Sequence, residues 1–337
     1  MSLMVQNEII GTVEKAATWG TAIATSPKGL PVDDLEIEIQ PQERRIKRGR
    51  GIRGQHEGDS WNDTLGAIAS ARFKTPMTHE ILELLLPAVL QKNPAWAAVS
   101  NVWTLYPVAL ASLPTIEDDE GYFFTVTRNT ETADQDVRIG AAVGGSVKFS
   151  IDPGADDRLL MGEFEMFGKA YERGITAAGT VSQLALTYPY KFSNISEVTF
   201  AAGDVTADFY GLELNISLGG KFHSDVPEGQ VVFPTVEVSG SFKLLASATT
   251  ETMKGLVEST AINTGAWFRV VFGTDPGDAG DEKGDLAIEV FLLLKKYDCD
   301  FSEGEVVTFE FDGVFGDTGA GTPEYPVRIL WGDAVPA

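Results

Sequence analysis

The feature that most constrains this chain is an alternation of apolar and polar residues that recurs along most of its length. Residues 35–40 read Leu-Glu-Ile-Glu-Ile-Gln, and a period of two gives a strand one buried and one exposed face. Further strands are predicted at 122–127, 145–151, 162–167, 212–218, 236–244, 267–272, 286–294, 306–311 and 326–331. These segments predict a mainly β chain, an antiparallel β-sandwich or barrel with extended loops.

One or two short helices are expected to interrupt the strands. A helix should begin near Pro76, because proline suits the first helical turn, and Pro87 should end or kink it. Thr249 or Thr250 can cap a second helix. The apolar stripe of this second helix consists of Met253, Leu256 and Val257. Both helices are expected to pack their apolar stripes on a sheet.

The first part of the chain lacks this periodicity. Residues 1–33 contain several glycines and prolines and predict an N-terminal arm with brief extended pieces. Residues 34–337 then form the β domain. Because single cores stop growing beyond about 250 to 300 residues, either one elaborated domain or two related β units, at about 34–200 and 201–337, fits this length.

A weak internal similarity bears on that choice. Residues 145–152 resemble residues 211–218, since each segment begins with glycine and alternates through a serine-bearing strand. Each is followed by a turn and a second alternating strand, at 162–168 and 236–242. Any two β-hairpins look alike, so the similarity leaves both organisations open.

Charge excludes one class of function. The chain has 49 acidic and 26 basic side chains, a formal net charge of −23. Almost the whole excess lies beyond residue 53, because the first 53 residues carry eight basic and seven acidic side chains. Such a body repels a phosphate backbone at long range, which argues against a tight DNA-binding protein. It does not prevent nucleic acid from passing along the surface.

A basic stretch at residues 43–53 stands out against this background. Its cationic residues, set among glycines, are Arg44, Arg45, Lys47, Arg48, Arg50 and Arg53. Three interpretations remain open. The stretch contacts an acidic protein surface such as a second copy of the chain, it is a solvated strand edge that discourages aberrant pairing, or it touches nucleic acid.

Residues suited to catalysis or metal binding are scarce. His56, His79 and His223 are isolated and predict ordinary surface or turn histidines. Acidic loops at 117–120, 152–157 and 275–285 could supply oxygen ligands to Ca²⁺, but they lack EF-hand spacing and read as solvated turns. No nucleophile elbow or phosphate-binding loop occurs in its required context. We therefore expect no enzyme activity, no cofactor and no metal site.

Cysteine and signal content suggest where the chain is made. Cys299 stands alone and cannot form an intramolecular disulfide, and no secretory signal pattern opens the chain, so synthesis in a reducing cytoplasm is expected. The longest apolar stretch, 81–90, is far shorter than the roughly 20 residues of a membrane-spanning helix. We expect no membrane segment.

Two segments carry a resemblance to a known family. Residues 11–22, Gly-Thr-Val-Glu-Lys-Ala-Ala-Thr-Trp-Gly-Thr-Ala, resemble the N-terminal signature of tail tube proteins of long-tailed, non-contractile bacteriophages. Residues 140–147 are also similar to a segment of that family. The order of arm, alternating strand, basic stretch, small-residue segment, helix and closing strands is similar as well.

The resemblance implies a structural virion protein made in the bacterial cytoplasm. Its copies would form homohexameric rings that stack into the hollow tail tube through which DNA is delivered. Inner strands would join around each ring, and an acidic inner wall would repel DNA. Expected partners are the chain itself, the tape measure, terminator and distal tail proteins, and passing DNA without specific binding.

The resemblance also implies which residues mediate subunit and ring contacts. The candidates, from the arm and the basic stretch, are Glu14, Trp19, Thr21, Arg44, Arg45, Arg48, Arg50 and Arg53. Trp19 would be an apolar anchor between copies, although it could equally be a core residue of its own chain.

Two other classes of function remain. The chain could be another phage tail ring component, namely a tail terminator, a distal tail or baseplate protein, or a minor tail protein. It could instead be a carbohydrate-binding β-sandwich, with Trp61, Trp96 and Trp103 stacking on sugars. Copy number in the virion would separate the first alternative from a tube protein, and glycan binding would support the second.

Overall fold

The structure is a computed structural model that describes most of the chain in separate stretches. The described residues are 10–16, 28–47, 60–91, 95–97, 102–105, 123–129, 137–154, 158–168, 170–173, 182–183, 189–201, 203–218, 221–223, 230–232, 236–258, 265–273, 285–300, 305–314 and 326–332. Strands make up 66% of the structure, which confirms the prediction of a mainly β chain.

Each predicted strand segment coincides with an observed strand. In chain order the strands are β1 Ile10–Ala16, β2 Lys28–Leu30, β3 Asp33–Lys47, β4 Ser60–Pro76, β5 Ala95–Ala97, β6 Val102–Leu105, β7 Phe123–Asn129, β8 Val137–Ile151, β9 Met161–Gly168, β10 Ala170–Arg173, β11 Ser182–Gln183, β12 Ile195–Phe200, β13 Gly203–Asp204, β14 Phe209–Ser217, β15 Lys221–His223, β16 Gln230–Val232, β17 Glu237–Leu245, β18 Ala266–Phe272, β19 Asp285–Asp300, β20 Val306–Gly313 and β21 Val327–Gly332. The two α-helices of the described part are α1 His79–Leu90 and α2 Ala248–Glu258.

Nearly all described strands belong to one large sheet whose pairings are antiparallel, except for the short parallel contact of β11 with β2. Its central part has the order β3-β4-β9-β8-β14-β17-β20-β19. The first half of β19 pairs with β18 and β21. The first half of β8 likewise pairs with β7 and β10. Long strands thus carry the sheet from one part of the molecule into another.

The sheet folds back on itself around an aromatic core. Phe242 of β17 stacks on Phe268 of β18 with 4.5 Å between ring centroids. In a flat sheet these strands would lie three strand spacings apart, about 14 Å, so the sheet must curl to bring the rings together. The rings of Phe309 and Phe311 lie 5.4 and 6.0 Å from that of Phe242. Phe242 therefore lies at the centre of the core.

Helix α1 is almost entirely buried. The hydroxyl of its cap, Thr78, accepts a hydrogen bond from the amide of Ile81 at 3.4 Å. A Cβ on Gly144 of β8 would lie 2.5 Å from the Cα of Val89, so only glycine allows this close approach of helix and strand. Of the two predicted effects of Pro87, ending or kinking the helix, the first is wrong. Pro87 lies inside α1, which continues to Leu90, because a proline in the last turn removes only one intrahelical hydrogen bond.

Helix α2 begins at a different residue from the one predicted. Ser247 caps it, since the Ser247 hydroxyl accepts from the amide of Thr250 at 3.3 Å and the Thr250 hydroxyl accepts from the amide of Ser247 at 2.5 Å. Thr249 and Thr250 therefore lie within the helix. Met253 is buried, whereas Leu256 is 45% exposed. The predicted apolar stripe is thus only partly covered.

Part of the predicted N-terminal arm belongs to the sheet. Strand β1 pairs with β7 along all seven of its residues, from Ile10 opposite Asn129 to Ala16 opposite Phe123. Strand β2 in turn pairs with β1. Neither described helix is long and apolar enough to cross a membrane.

The central position of Phe242 predicts a large effect of its removal. Phe242→Ala should lower the free energy of unfolding by about 3–5 kcal/mol, because a large buried ring leaves a cavity among its neighbours. Leu245→Ala, on the same strand but 36% exposed, should change it far less. Urea denaturation of the two variants measures the difference, and equal losses would contradict this description of the core.

Candidate functional site

The outer face of the central sheet is polar and holds a groove of about 670 Å³. The groove spans β4, β9, β8, β14, β17, β20 and the second half of β19, whose apolar residues point to the opposite, core-facing side. Three cationic and five anionic side chains line it, together with serines and other neutral residues. It is therefore acidic only to a small degree, in contrast to the net charge of the whole chain.

The three cations of the groove are each engaged by a carboxylate. The guanidinium of Arg72 donates to Glu163, and the side-chain nitrogen of Lys148 lies 3.0 Å from a Glu213 oxygen. The corresponding distance from Lys295 to Asp312 is 2.7 Å. The pKa of Arg72 is raised, chiefly by the hydrogen bond to Glu163.

The two remaining carboxylates of the groove also have partners. Lys296 lies 2.7 Å from Glu310, and this hydrogen bond raises the pKa of Lys296. The hydroxyl of Ser146 donates to Glu165 at 3.2 Å. Because these pairs are exposed to solvent, each of them adds little to the stability of the fold. Their combined effect is electrostatic, because a face that neutralises its own cations offers few of them to an incoming phosphate.

A second charged cluster lies on the neighbouring part of the sheet. Glu289 of β19 stands between Arg269 of β18 and Arg328 of β21 in the strand register. Arg328 donates to Glu289, and the Arg269 side chain lies 3.4 Å from the same carboxylate. Glu289 is only 6% exposed. A carboxylate at this depth is stable because two guanidinium groups compensate its burial.

The structure describes three of the eight predicted contact residues. Glu14 lies on β1, opposite Thr125 of β7. Arg44 and Arg45 lie on β3, opposite Asp63 and Asn62 of β4. The remaining candidates lie outside the described residues: Trp19, Thr21, Arg48, Arg50 and Arg53.

Arg44, Arg45 and Lys47 belong to a strand and not to a loop. Strand β4 pairs with β9 only over residues 69–76, whereas it pairs with β3 as far as Ser60. Within the described part of the chain, residues 41–47 and 60–67 therefore pair only with each other. We call this two-stranded extension of the sheet the ribbon. It separates the basic residues from the polar groove.

Other residues singled out in the sequence do not form a recognisable centre. His79 is 1% exposed at the start of α1, and its ring lies 3.8 Å from Glu83 one turn later, so it is not the surface histidine that was predicted. Asp152 accepts from the amide of Gly154 at 2.8 Å in a turn. Among the residues that the structure covers, no three His, Cys, Asp or Glu side chains are grouped as metal ligands.

The three tryptophans of the carbohydrate alternative are spread over two places. Trp96 of β5 lies opposite Trp103 of β6 in the strand register. Trp61 lies opposite Ile46 at the far end of the ribbon. Comparison with known proteins does not indicate a function, since no family profile matches the chain and no curated protein matches it at a significant level.

The residues of the polar groove carry no local sequence signal that marks them as a site. The outward positions of the alternating strands indicate which side chains share a face, but the cross-strand register decides which charges meet. Lys148 and Glu213 are 65 positions apart in the chain and adjacent in the sheet. Such a pair has no local sequence signal.

The pairing of charges in the groove predicts a gain of nucleic-acid binding when its carboxylates are removed. Glu163→Gln, Glu213→Gln and Asp312→Asn together release Arg72, Lys148 and Lys295. This variant should bind a short DNA duplex at low salt. The logarithm of its affinity should fall linearly with the logarithm of the salt concentration, with a slope of about −0.9 per phosphate contact. The unaltered protein should show no binding of the same duplex when binding is measured by fluorescence anisotropy.

A matched control removes the same number of charges elsewhere. Glu197, Glu258 and Glu305 lie outside the groove, and their joint replacement by glutamine should leave DNA retention at the level of the unaltered protein. Equal retention by both triple variants would show that overall charge, and not the local pairing, governs contact with DNA.

Proposed function

We propose that this chain is a structural subunit of a bacteriophage tail tube, whose copies form stacked rings around a passage for DNA. The observation that carries the proposal is the ribbon, which extends basic residues beyond the central sheet of a strongly acidic chain. The resemblance of residues 11–22 to the tail tube family supports the same assignment.

The ribbon suits a contact between copies. Seven residues, 41–47, extend about 23 Å at 3.3 Å per residue. A two-stranded ribbon is only marginally stable by itself in water, so it gains stability from packing against a further surface. Because the ribbon strand carries Arg44, Arg45 and Lys47 and the chain as a whole has a net charge of −23, a second copy offers the complementary charge.

The polar groove suits a surface past which DNA moves. Binding of a phosphate backbone by protein cations gains free energy from the release of counterions. On this face the cations are already matched by carboxylates, and the groove retains a small acidic excess. In the proposed tube this face lines the lumen, and DNA slides along it without adhering.

Assembly needs no catalytic group, which accords with the proposal that the protein is not an enzyme. The chain is made in the bacterial cytoplasm and acts in the virion. Its further partners in this role are the tape measure, terminator and distal tail proteins. A tube subunit is among the most abundant proteins of a virion, whereas a terminator is scarce, so quantitative protein staining of the particle separates these roles.

Electron microscopy of the purified protein tests the proposal directly. Negative staining should show rings or hollow rods. Replacing Arg45, Arg48 and Arg50 by Glu should abolish the stacking of rings through charge reversal, while the circular dichroism spectrum stays unchanged. Replacing the same three residues by Lys should preserve the stacking. Rods of normal length from the Glu variant would contradict the role of the basic stretch. A lone globule at all concentrations would contradict the proposed function itself.

A further inference from the structure

The strand pairings of the chain occur twice in the same order. In the first half β3 pairs with β4, β4 with β9 and β9 with β8, while the start of β8 pairs with β7 and β10. In the second half β14 pairs with β17, β17 with β20 and β20 with β19, while the start of β19 pairs with β18 and β21. A helix follows the second strand of each series. The chain thus contains two β units of one topology.

Side chains at equivalent positions agree with this duplication. Residues 70–74 of β4 read Ser-Ala-Arg-Phe-Lys, and residues 239–243 of β17 read Ser-Gly-Ser-Phe-Lys. The two phenylalanines each stack on the Phe of a Phe-Glu pair, Phe164 of β9 at 5.5 Å and Phe309 of β20 at 5.4 Å. Matching ring stacks at matching places are a property of repeated units and not of hairpins in general.

The helix caps and the first strands extend the correspondence. Thr78 caps α1 five residues after Phe73, and Ser247 caps α2 five residues after Phe242. Residues 35–37 of β3 read Leu-Glu-Ile, and residues 212–214 of β14 read Leu-Glu-Leu. The two similar segments 145–152 and 211–218 are instead neighbours in the sheet and hold different places in their units.

That neighbouring pair is the junction between the two units. The second half of β8 pairs with β14, with Val147 opposite Ile216 and Phe149 opposite Leu214. All four of these side chains are 0% exposed. One unit therefore ends in the last part of its long strand, and the next unit adds its first strand to that edge.

The chain leaves the same two edges open at its ends. The second half of β19 corresponds to the second half of β8, and β3 corresponds to β14. In the described residues no strand pairs with the outer edge of β3 or with the edge of β19 that lies opposite β20. Ile37, Ile39, Tyr297 and Cys299, which correspond to the four buried junction residues, are only partly buried.

We propose that copies of this chain join edge to edge, with β3 of one copy pairing with the second half of β19 of the next, in the register of the internal β8–β14 junction. Strands β8 and β19 share a register irregularity, which lies between Gly144 and Ser146 in β8 and between Leu294 and Lys296 in β19. When the two strands are aligned at this irregularity, the register of the β8–β14 junction places Cys299 opposite Ile37 and Tyr297 opposite Ile39. A shift by one residue would turn the apolar side chains to the wrong face.

The duplication also sets the number of copies. Each chain supplies two units and one internal junction, so a ring contains half as many chains as units. The resemblance to tail tube proteins implies rings of six copies with one unit each, so if the ring keeps six places, three copies of this two-unit chain close it. This count rests on the proposed function, whereas the edge pairing does not.

One feature of the joint between copies differs from the internal junction. Where Lys148 lies opposite Asn215 inside the chain, the proposed register places Asp298 opposite Glu38. Like charges directly opposite each other destabilise a strand pair. Replacing Asp298 by lysine creates an opposite-charge pair and should strengthen the joint in this register alone.

Cys299 allows the joint to be tested by disulfide formation. Ile37→Cys should form intermolecular disulfides with the native Cys299 under mild oxidation, seen as a ladder of covalent oligomers on a non-reducing gel. Only pairs with Cα atoms within about 7 Å can be bridged, so the yield should exceed that of Glu36→Cys, which faces the other side of the strand, by about tenfold. Ile37→Cys combined with Cys299→Ser should give no ladder of covalent oligomers, because the second cysteine of the joint is missing.

The register is tested by neighbouring positions and by charge. Leu35→Cys and Ile39→Cys should react less than Ile37→Cys, and a preference for either would overturn the proposed register. Asp298→Lys in the Ile37→Cys background should raise the crosslinked fraction about fivefold if opposite charges replace like charges. Glu237→Lys, which makes the same charge change on β17, should not, and an equal rise in both would overturn the placement of Asp298.

The outcomes separate this inference from the proposed function. Rods or rings without a crosslink at any of the three positions would overturn the β3–β19 joint and leave the tube proposal standing. Crosslinked oligomers without rings or rods would support the joint and contradict the tube. Native mass spectrometry of rings should give three chains, and six would overturn the count. A folded chain that remains monomeric at high concentration would overturn the joint.

Discussion

Backbone hydrogen bonding at strand edges is the constraint on which the rest of this structure depends. Strands make up 66% of the structure, and every buried N–H and C=O group needs a partner. The chain satisfies most of them internally, because long strands such as β8 and β19 serve two parts of the sheet. Among the edges that remain unpaired in the described part, those of β3 and of the end of β19 are long templates for another strand.

Period-two alternation lets the same strands perform two tasks. One face supplies the phenylalanine core around Phe242, and the other carries the charges of the polar groove. Since the outward charges are matched in pairs across neighbouring strands, the groove does not attract counter-charged partners. Association of copies is then left to the backbone edges of the strands and to the ribbon.

Local signals in the sequence identified ten of the strands, but they missed the central strand β4 and did not give the arrangement of the sheet. Each of the alternating segments became a strand, because the period of two needs only neighbouring residues to be recognised. The pairing of β8 with β14 brings together residues far apart in the chain, and the similarity between these two strands suggested equivalent places when they are in fact neighbours. Ser247 was missed as a cap because Thr249 and Thr250 fit the local rule equally well. The depth of His79 depends on what covers α1, which no local pattern contains.

Differences between equivalent positions are informative because the two units share one topology. Helix α1 has nine buried residues, whereas α2 has two, Thr250 and Met253. Leu245 and Leu256, at either end of the second unit's helix, are 36% and 45% exposed, and full burial of a leucine is worth about 1.5–3 kcal/mol. The first unit is followed by a second unit that covers its last strand, while the described part of the chain supplies no such successor to the second. In the proposed joint, β3 of the next copy would take the place beside β19 that β14 takes beside β8.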